Sequence, residues 1–251
     1  MSTSADTRPV ALVTGAAVRV GEAIARRLDT AGYRVWLHHF RSVDHVATLA
    51  SSLSHVVGTP RADLGDRAQR DALIRTVTNP GGPAAGRLDL LVNSAASFER
   101  GPFLDRNDAD MARVFELVLT APLSLARSAH PALAATSGCV VNIGDLLARH
   151  PSPGHAEHAI AKAGLEAATR ALAVEFAPVR VCAVVPGTVA WPPELPVEAR
   201  RAIIAQTALA RLATPSDVAD AVLFLAQASA VTGETLVVDA GQSAGTGRRP
   251  T

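Results

Sequence analysis

Residues 140–177 read VVNIGDLLARHPSPGHAEHAIAKAGLEAATRALAVEFA. The stretch opens on an uninterrupted apolar run, crosses a polar loop and continues into a long Ala-rich segment, which predicts a buried strand, a loop and a helix. Lys162 lies on that helix and is the only lysine of the chain. His158 lies four residues earlier on the same helix face, and Asp145 follows the strand closely. We therefore expect Asp145, His158 and Lys162 to form a candidate site at the carboxyl end of a strand, the alternative being a solvated helix face.

The same alternation of strand and helix continues on both sides of this stretch. One long helix is predicted from about Ala109 to His130. Parallel strands joined by right-handed crossover helices give a doubly wound, Rossmann-type α/β fold of about seven mainly parallel strands with helices on both faces. We predict a single domain over residues 1–251, with flexible ends at 1–8 and 245–251. The predicted strands are Val10–Val13, Arg34–Leu37, His55–Val57, Leu88–Val92, Cys139–Ile143, Val179–Val185 and Thr235–Val238.

Composition limits the classes of function. Apolar residues make up 48% of the chain, enough for a full core, and the net charge of +1 indicates neither a nucleic-acid partner nor an anionic membrane surface. No apolar run has the length of a membrane span and no secretory leader pattern is present, which favours a cytoplasmic protein. Cys139 and Cys182 lie in apolar strand patterns and are expected to be reduced core residues. No metal site is expected.

The loop after the first strand has the placement of a nucleotide-binding turn. Its sequence, TGAAVRVG over residues 14–21, lies between a strand and a helix, where main-chain N–H groups and a helix N-terminus bind pyrophosphate. Gly15 permits a tight turn and Gly21 permits close packing. The middle glycine of the usual fingerprint is absent, and Arg19 stands near its place. A turn of this kind could also bind nothing.

The end of the second strand indicates which dinucleotide would bind. A carboxylate there would accept hydrogen bonds from the adenosine ribose and favour NAD. This chain has His38, Arg41 and Ser42 instead. Together with Arg19 they make a cationic, donor-rich pocket suited to a 2′-phosphate, which predicts NADP(H) as the cofactor. The alternative is an exposed polar turn.

Over nearly its whole length the chain resembles the short-chain dehydrogenases/reductases. The motifs that carry the resemblance are TGAAVRVG at 14–21, ADL at 62–64, NSAA at 93–96, the helix with Lys162, PG at 186–187 and VTGETLVVDAG at 231–241. Within that family the chain is most similar to pteridine reductases, through Arg19, LHHFRS at 37–42, NSAASF at 93–98 and Asp145 where most of the family has Ser. The resemblance implies an NADPH-dependent oxidoreductase that transfers hydride to a planar conjugated C=N or C=O substrate, such as a pterin.

The resemblance also implies a role for each matching position. Val20 belongs to the glycine loop, Asp63 and Leu64 would contact adenine, and Asn93 and Ala95 would line the cofactor. Lys162 would bind the nicotinamide ribose. Pro186, Gly187 and Val189 would orient the carboxamide. Phe98 could sandwich a planar ring against the nicotinamide, and Ser97 could contact the cofactor or a pterin. Trp191 could cap a ligand from the lid segment, a packing role being the alternative.

Two departures from the family pattern concern catalysis. The tyrosine of the family's YxxxK motif is replaced by His158, and the asparagine expected on the fourth helix is replaced by Val118. His158 could be a substitute acid, Asp145 could itself donate the proton, or the site could have lost turnover. Two hypotheses therefore stay open: a working reductase, and a non-catalytic NADPH-binding pseudoenzyme that acts as a regulator or partner subunit.

The resemblance further implies a homo-oligomer, a dimer or tetramer, because family members commonly pair two of their helices. The matching faces here carry Phe115, Leu119 and Leu123 on one helix and Ala159, Ala163, Ala167 and Ala171 on the other. Ordinary packing on the sheet would explain the same pattern.

Overall fold

A computed structural model of the protein describes residues 6–191, 195–205 and 207–244. Residues 1–5 and 245–251, which belong to the predicted flexible ends, lie outside the described residues. The strands are Val10–Val13 (β1), Arg34–Leu37 (β2), Val56–Gly58 (β3), Leu90–Asn93 (β4), Cys139–Ile143 (β5), Arg180–Pro186 (β6) and Thr235–Val238 (β7). The helices are Arg19–Thr30 (α1), Val43–Ser52 (α2), Arg67–Val77 (α3), Asp108–Phe115 (α4), Ala121–Ala135 (α5), Ala156–Glu175 (α6), Val197–Ala205 (α7) and Pro215–Gln227 (α8).

The seven strands form one sheet in the order β3-β2-β1-β4-β5-β6-β7. Each neighbouring pair is parallel. This arrangement confirms the predicted doubly wound fold. The chain reverses its direction of winding between β1 and β4, and ligands of such sheets bind outside the carboxyl ends of the strands at that switch point.

The sheet is buried on both faces, as the unbroken apolar runs predict. On β1, Ala11 and Val13 face the core covered by α1 and α8, whereas Val10 and Leu12 face the core covered by α3 and α5. Burial of a leucine side chain of this kind stabilises the fold by roughly 2 kcal/mol. Cys139 and Cys182 are free, buried thiols on adjacent strands. Within the described ranges, the helices lack the length and apolar character needed to cross a membrane.

The predicted long helix over 109–130 is interrupted. A π-helical turn at Glu116–Thr120 separates α4 from α5. Val118 lies on this turn, is fully buried and packs against Val114 and Ala161. A π turn accommodates one extra residue within a helix, and apolar spacing does not reveal a single inserted residue. The correction matters because Val118 occupies the position where the family resemblance expects a polar side chain.

Candidate active site

A cleft of about 2010 Å³ lies along the carboxyl ends of β1 to β6. Its walls come from the loops that follow these strands, and α7 contributes Ile203. The cleft brings together nearly all the residues that the sequence singles out. Those that line it are Gly15, Arg19, Val20, His38, Arg41, Ser42, Asp63, Leu64, Ala95, Ser97, Phe98, Asp145, His158, Lys162, Pro186, Gly187, Val189 and Trp191.

The glycine loop is fastened to the loop after β4 by one threonine. Thr14 Oγ1 donates to the carbonyl of Val92 (3.2 Å) and accepts from the N–H groups of Ser94 (2.9 Å) and Ala95 (3.1 Å). Gly15 adopts a left-handed φ of 63°, and a Cβ there would lie 2.9 Å from Ala95 Cα. The glycine is therefore required both by its backbone conformation and by the close approach of the two loops.

Asn93 is placed beneath the cleft by the structure, and its contact with the cofactor stays a prediction. Its side chain is buried, and Nδ2 donates to Asn142 Oδ1 (2.9 Å). Asn142 in turn donates to Thr169 Oγ1 on α6 (3.0 Å). Because successive residues of a strand point to opposite faces of the sheet, the sequence motif alone does not show which way the Asn93 side chain points. It joins β4, β5 and α6 beneath the site.

His38 is also assigned a different role by the structure. The Gly15 N–H donates to His38 Nδ1 (3.1 Å), and His38 Nε2 lies 3.1 Å from the carbonyl oxygen of Ala62. These partners fix a neutral ring that carries its proton on Nε2. Burial lowers the pKa of His38 to about 4. Both ring nitrogens are thus engaged within the protein, and the ring ties the glycine loop to the segment before Asp63.

We expect this histidine to make the fold sensitive to acid. The folded protein protonates His38 only near its pKa of about 4, whereas the ordinary value is 6.5, so the unfolded chain binds more protons between these values. Stability from this group is complete above pH 6.5 and is lost as the pH falls toward 4, by on the order of 3 kcal/mol. Urea unfolding between pH 8 and pH 5 should show a shallower pH dependence for His38→Asn than for the native chain.

His45 provides the matched control for that experiment, because it is an exposed histidine on α2. His45→Asn should keep the native dependence of unfolding free energy on pH. If His38→Asn and the native protein lose stability in parallel as the pH falls, the structural role of His38 is wrong.

Arg19 and Arg41 remain as the cations of the predicted phosphate pocket, with Ser42 beside them. Arg19 begins α1 with a left-handed φ of 52° and is exposed. Arg41 is exposed and lies 5.3 Å from the centroid of the Phe40 ring. Within the described part of the chain neither guanidinium has an ion pair or a hydrogen bond to an acceptor. Two free guanidinium groups at this edge suit a phosphate monoester.

Sequence inspection missed Arg70, which supports the loop after β3. Arg70 is 3% exposed on α3, and its Nη1 donates to the carbonyl of Leu64 (2.6 Å). Its Nη2 pairs with Glu116 on the π turn (2.6 Å). The buried guanidinium thus links the loop that carries Leu64, an expected adenine contact, to the π turn. No local sequence signal distinguishes this arginine from a solvated helix residue.

Asp145, His158 and Lys162 meet, as the spacing predicts. His158 Nε2 lies 3.1 Å from Asp145 Oδ2, and Asp145 Oδ1 accepts from the N–H of Leu147 (2.8 Å). Lys162 Nζ donates to the carbonyl of Ile143 (2.6 Å). His158 and Lys162 are 5% and 4% exposed, so the pattern is not that of a solvated helix face. His158 Nδ1 is buried and has no hydrogen-bond partner among the described residues.

The charges of this cluster follow from its contacts. Burial raises the pKa of Asp145, but the hydrogen bonds from His158 and the Leu147 N–H, with the charges of His158 and Lys162, outweigh burial and hold that pKa below its ordinary value. Asp145 is therefore ionised at neutral pH. Burial lowers the pKa of Lys162 to about 8, and the Asp145 carboxylate counteracts part of that effect. The site combines a carboxylate, an imidazole and an ammonium group that titrates near neutrality.

Phe98 and His155 form an aromatic stack in the wall of the cleft. Their rings stack with centroids 4.6 Å apart and planes at 29°, and Phe98 meets the ring of His158 edge-on at 5.1 Å. Phe98 is 60% exposed, so a flat ligand has access to it. His155 precedes the first residue of α6. The sequence shows it only as a loop or helix-start residue, and its stacking was not predicted.

The chemistry of the cleft fits a nicotinamide dinucleotide. Lys162 carries three donor hydrogens, and within the described residues its only hydrogen bond is to Ile143, which leaves donors for ribose hydroxyls. The main chain of Val189 has no hydrogen bond to a described residue and offers a donor and an acceptor to a carboxamide. Thr188 N–H donates to Gln242 Oε1 (3.0 Å), a contact that fixes this segment and that the motifs did not indicate. In the described part of the chain no cluster of three metal-ligating side chains is found.

Comparison with known proteins agrees with this geometry. A family model described as enoyl-(acyl carrier protein) reductase matches residues 15–243. The chain is 36% identical to nodulation protein G of Rhizobium sp. (strain N33) over 92% of this chain and 95% of that protein. It is 31% identical to pteridine reductase 1 of Leishmania tarentolae over 96% and 98%.

A solved structure of a short chain dehydrogenase/reductase family protein superposes with a TM-score of 0.82. The two share 32% identity over 94% of this chain and 97% of that one. A pteridine reductase is thus among the relatives without being the most similar of them. Fold, cleft and relatives together show that the chain belongs to the short-chain dehydrogenase/reductase family of oxidoreductases.

Proposed function

We propose that this protein is an NADPH-dependent reductase of a planar conjugated carbonyl or imine, with His158 as the proton donor. The observation that carries the proposal is the hydrogen bond between His158 and Asp145, 3.1 Å long, beside the buried Lys162. These residues lie in the same cleft as the free guanidinium groups of Arg19 and Arg41. One cleft therefore holds both a proton-transfer pair and a cationic binding end.

The choice of NADPH over NADH rests on the end of β2. Arg41 and Ser42 follow that strand where a carboxylate would select NAD, and Arg19 reaches the same edge from the glycine loop. Asp63 and Leu64 would contact the adenine. Gly15 and Val20 would approach the pyrophosphate, Ala95 would line the dinucleotide, and Pro186, Gly187 and Val189 would hold the carboxamide.

Bound nicotinamide would supply a hydride to the substrate carbon, which is thereby reduced. The chain must supply the proton that the substrate oxygen or nitrogen gains. Protonated His158 would release one of its two ring N–H protons and become neutral. Asp145 is a poor donor because its pKa is held below the ordinary value. Its carboxylate would instead orient the imidazole ring through their hydrogen bond. Lys162 would hold the ribose.

Phe98 would carry the substrate. Its exposed ring faces the cleft beside Ser97, and a flat conjugated ring would stack on it. A pterin has this shape, and the pteridine reductase among the relatives supports that class. Trp191 would cover the ligand from the lid side, and Leu195 and Ile203 line the same cleft.

The proposal is tested by cofactor binding and turnover together. We expect NADPH to bind more tightly than NADH, and Arg41→Gln to weaken NADPH about 10- to 100-fold while leaving NADH nearly unchanged, because the variant loses a charge-assisted contact to the 2′-phosphate. Arg26→Gln removes an exposed arginine of α1 and should have no effect. Fluorescence titration measures both affinities.

Turnover is measured as NADPH oxidation with dihydropterin, quinone and aromatic aldehyde substrates. Absence of NADPH binding would refute the proposal outright. NADPH binding without oxidation by any of these substrates would favour the alternative, a cofactor-binding pseudoenzyme that serves as a regulator or partner subunit.

The assembly is proposed to be a homo-oligomer, a dimer or tetramer. Along α6, Ile160, Ala163, Ala167, Ala171 and Val174 are all exposed and share one face, whereas Ala159 is buried. A small, apolar helix face of this kind suits close packing against a second copy. Light scattering should then give a solution mass that is a multiple of 26.0 kDa. We place the protein in the cytoplasm, where Cys139 and Cys182 stay reduced.

A further inference from the structure

We propose that Arg100 recognises an anionic group of the substrate, so that the substrate is a planar conjugated carbonyl or imine that carries a carboxylate or phosphate. The inference rests on the proposed function and adds a substrate class to it. Arg100 lies two residues after Phe98 and lines the same cleft. An exposed arginine is ordinary on a protein surface, so the argument depends on how this one is held and on which charges surround it.

The segment that carries Arg100 is fixed on both sides. Gly101 N–H donates to the carbonyl of Gly154 (3.0 Å). Farther along, Arg106 Nε lies 3.1 Å from Oε1 of Glu157, whose side chain is only 4% exposed. Before it, Phe98 stacks on His155. The segment is thus attached to the start of α6, the helix that carries His158.

The aliphatic part of Arg100 lies against Gly154. A Cβ on Gly154 would come within 3.2 Å of Arg100 Cγ and 3.5 Å of Arg100 Nε. Any larger residue at 154 would therefore displace the arginine side chain. Arg100 is exposed and lines the cleft that also contains Phe98 and His155.

The charges nearby leave Arg100 without compensation. Its neighbour Glu99 pairs with Arg113 (3.1 Å) and Arg106 (3.5 Å). Asp145 is engaged by His158. In the part of the chain that the structure describes, Arg100 has neither an ion pair nor a hydrogen bond. A guanidinium group that faces a binding cleft with no internal partner is available to a ligand, and its planar fork matches carboxylate and phosphate oxygens.

His155 does not share this task. Burial lowers the pKa of His155, and the positive charges of Arg100 and His158 lower it further, against the opposing effect of Asp145 and Glu157. The ring is therefore neutral near pH 7 and offers an aromatic surface. Phe98 and His155 therefore bind the flat ring of the substrate, and Arg100 binds its negatively charged substituent.

The test compares three aromatic aldehydes that share one ring: 4-formylbenzoate, 4-formylphenyl phosphate and the neutral methyl 4-formylbenzoate. For each aldehyde we measure kcat/KM from NADPH oxidation. We also measure the Kd of each aldehyde for the complex of the protein with NADP⁺, using tryptophan fluorescence, since Trp191 lines the cleft. We expect the native protein to prefer at least one anionic aldehyde about tenfold over the ester, and Arg100→Gln to abolish that preference. The better of the two anions identifies the group.

The controls separate this contact from general charge and from cofactor binding. Arg75→Gln removes the same charge from an exposed position on α3, outside the cleft, and should keep the preference. Arg100→Lys should keep part of it. The NADPH affinity of Arg100→Gln should equal that of the native protein.

The outcomes distinguish the two proposals. If both the native protein and Arg100→Gln turn over the aldehydes with the same preference for the anions over the ester, the role of Arg100 is overturned. The proposal that the protein is a reductase then still stands. Tighter binding of an anion that depends on Arg100, without turnover, supports the anion site and overturns the reductase. Neither binding nor turnover of any aldehyde overturns both.

Discussion

His158→Phe should lower kcat/KM by about 10²- to 10⁴-fold, the range expected when a positioned general acid is lost. Phenylalanine keeps an aromatic ring, somewhat larger than imidazole, in a site that is 5% exposed, so the edge-on contact with Phe98 and the fold should persist. NADPH affinity should change by less than about threefold, because the proposed cofactor ligands are untouched and the cost falls on the chemical step. Stopped-flow NADPH oxidation and fluorescence titration measure the two quantities.

Neighbouring variants sharpen this result. Asp145→Asn keeps an oxygen that accepts from His158 but removes the charge, so we expect a smaller loss of kcat than for His158→Phe. His155→Phe preserves the stack with Phe98 and should retain most activity. If Asp145→Asn is inactive while His158→Phe keeps most of its turnover, the proton comes from Asp145. An inactive native protein that gains turnover in His158→Tyr would be a pseudoenzyme.

The fold was accessible from the sequence because its strands are buried on both sides. The run Val10–Val13 has no polar alternation, and the structure divides it between the two cores. Every predicted strand is present, with ends that shift by a residue or two. The π turn at Glu116–Thr120 was not accessible. One extra residue in a turn leaves the apolar pattern of the sequence unchanged, and only the backbone of the folded chain shows it.

The site was accessible where spacing alone determines contact. His158 and Lys162 share a helix face because they are four residues apart, and the end of β5 places Asp145 opposite them. The partners of His38 and Asn93 were not predictable, for a common reason. Both occupy motif positions beside the cleft, yet their polar atoms bond inward, to Gly15 and Ala62 and to Asn142. A motif gives the position of a residue, while the direction of its side chain depends on neighbours distant in sequence.

The residues that support the cleft could not be predicted from the sequence either. Arg70, His155 and Gln242 each act through a partner on another element: Glu116, Phe98 and Thr188. The two residues of each pair lie far apart in the sequence, so no motif of short spacing marks them. Such contacts become visible only when the sheet has brought the loops together, although they stabilise the same cleft that the motifs predict.

Lys162→Met should weaken NADPH binding about 10- to 100-fold and lower turnover by at least a further tenfold, because a charge-assisted contact to the ribose is lost along with the orientation it provides. Methionine has a similar length and fills the buried space without a charge. Circular dichroism should show an intact fold. Arg26→Gln, at an exposed position on α1, is the control for nonspecific loss of a cation. Unchanged NADPH affinity in Lys162→Met would remove Lys162 from the cofactor site.

The contact between Lys162 and the cofactor should make NADPH affinity depend on pH. Burial places the pKa of Lys162 at about 8 instead of 10.5, so the ammonium loses its proton as the pH rises from 7 to 9. NADPH affinity of the native protein should therefore fall over that range, whereas Lys162→Met should show little change. Because Lys162 is the only lysine of the chain, ¹³C-lysine labelling gives a single side-chain signal, and its titration reports this group directly. A midpoint above pH 10 would mean that burial does not depress the pKa, and the predicted loss of affinity would then disappear.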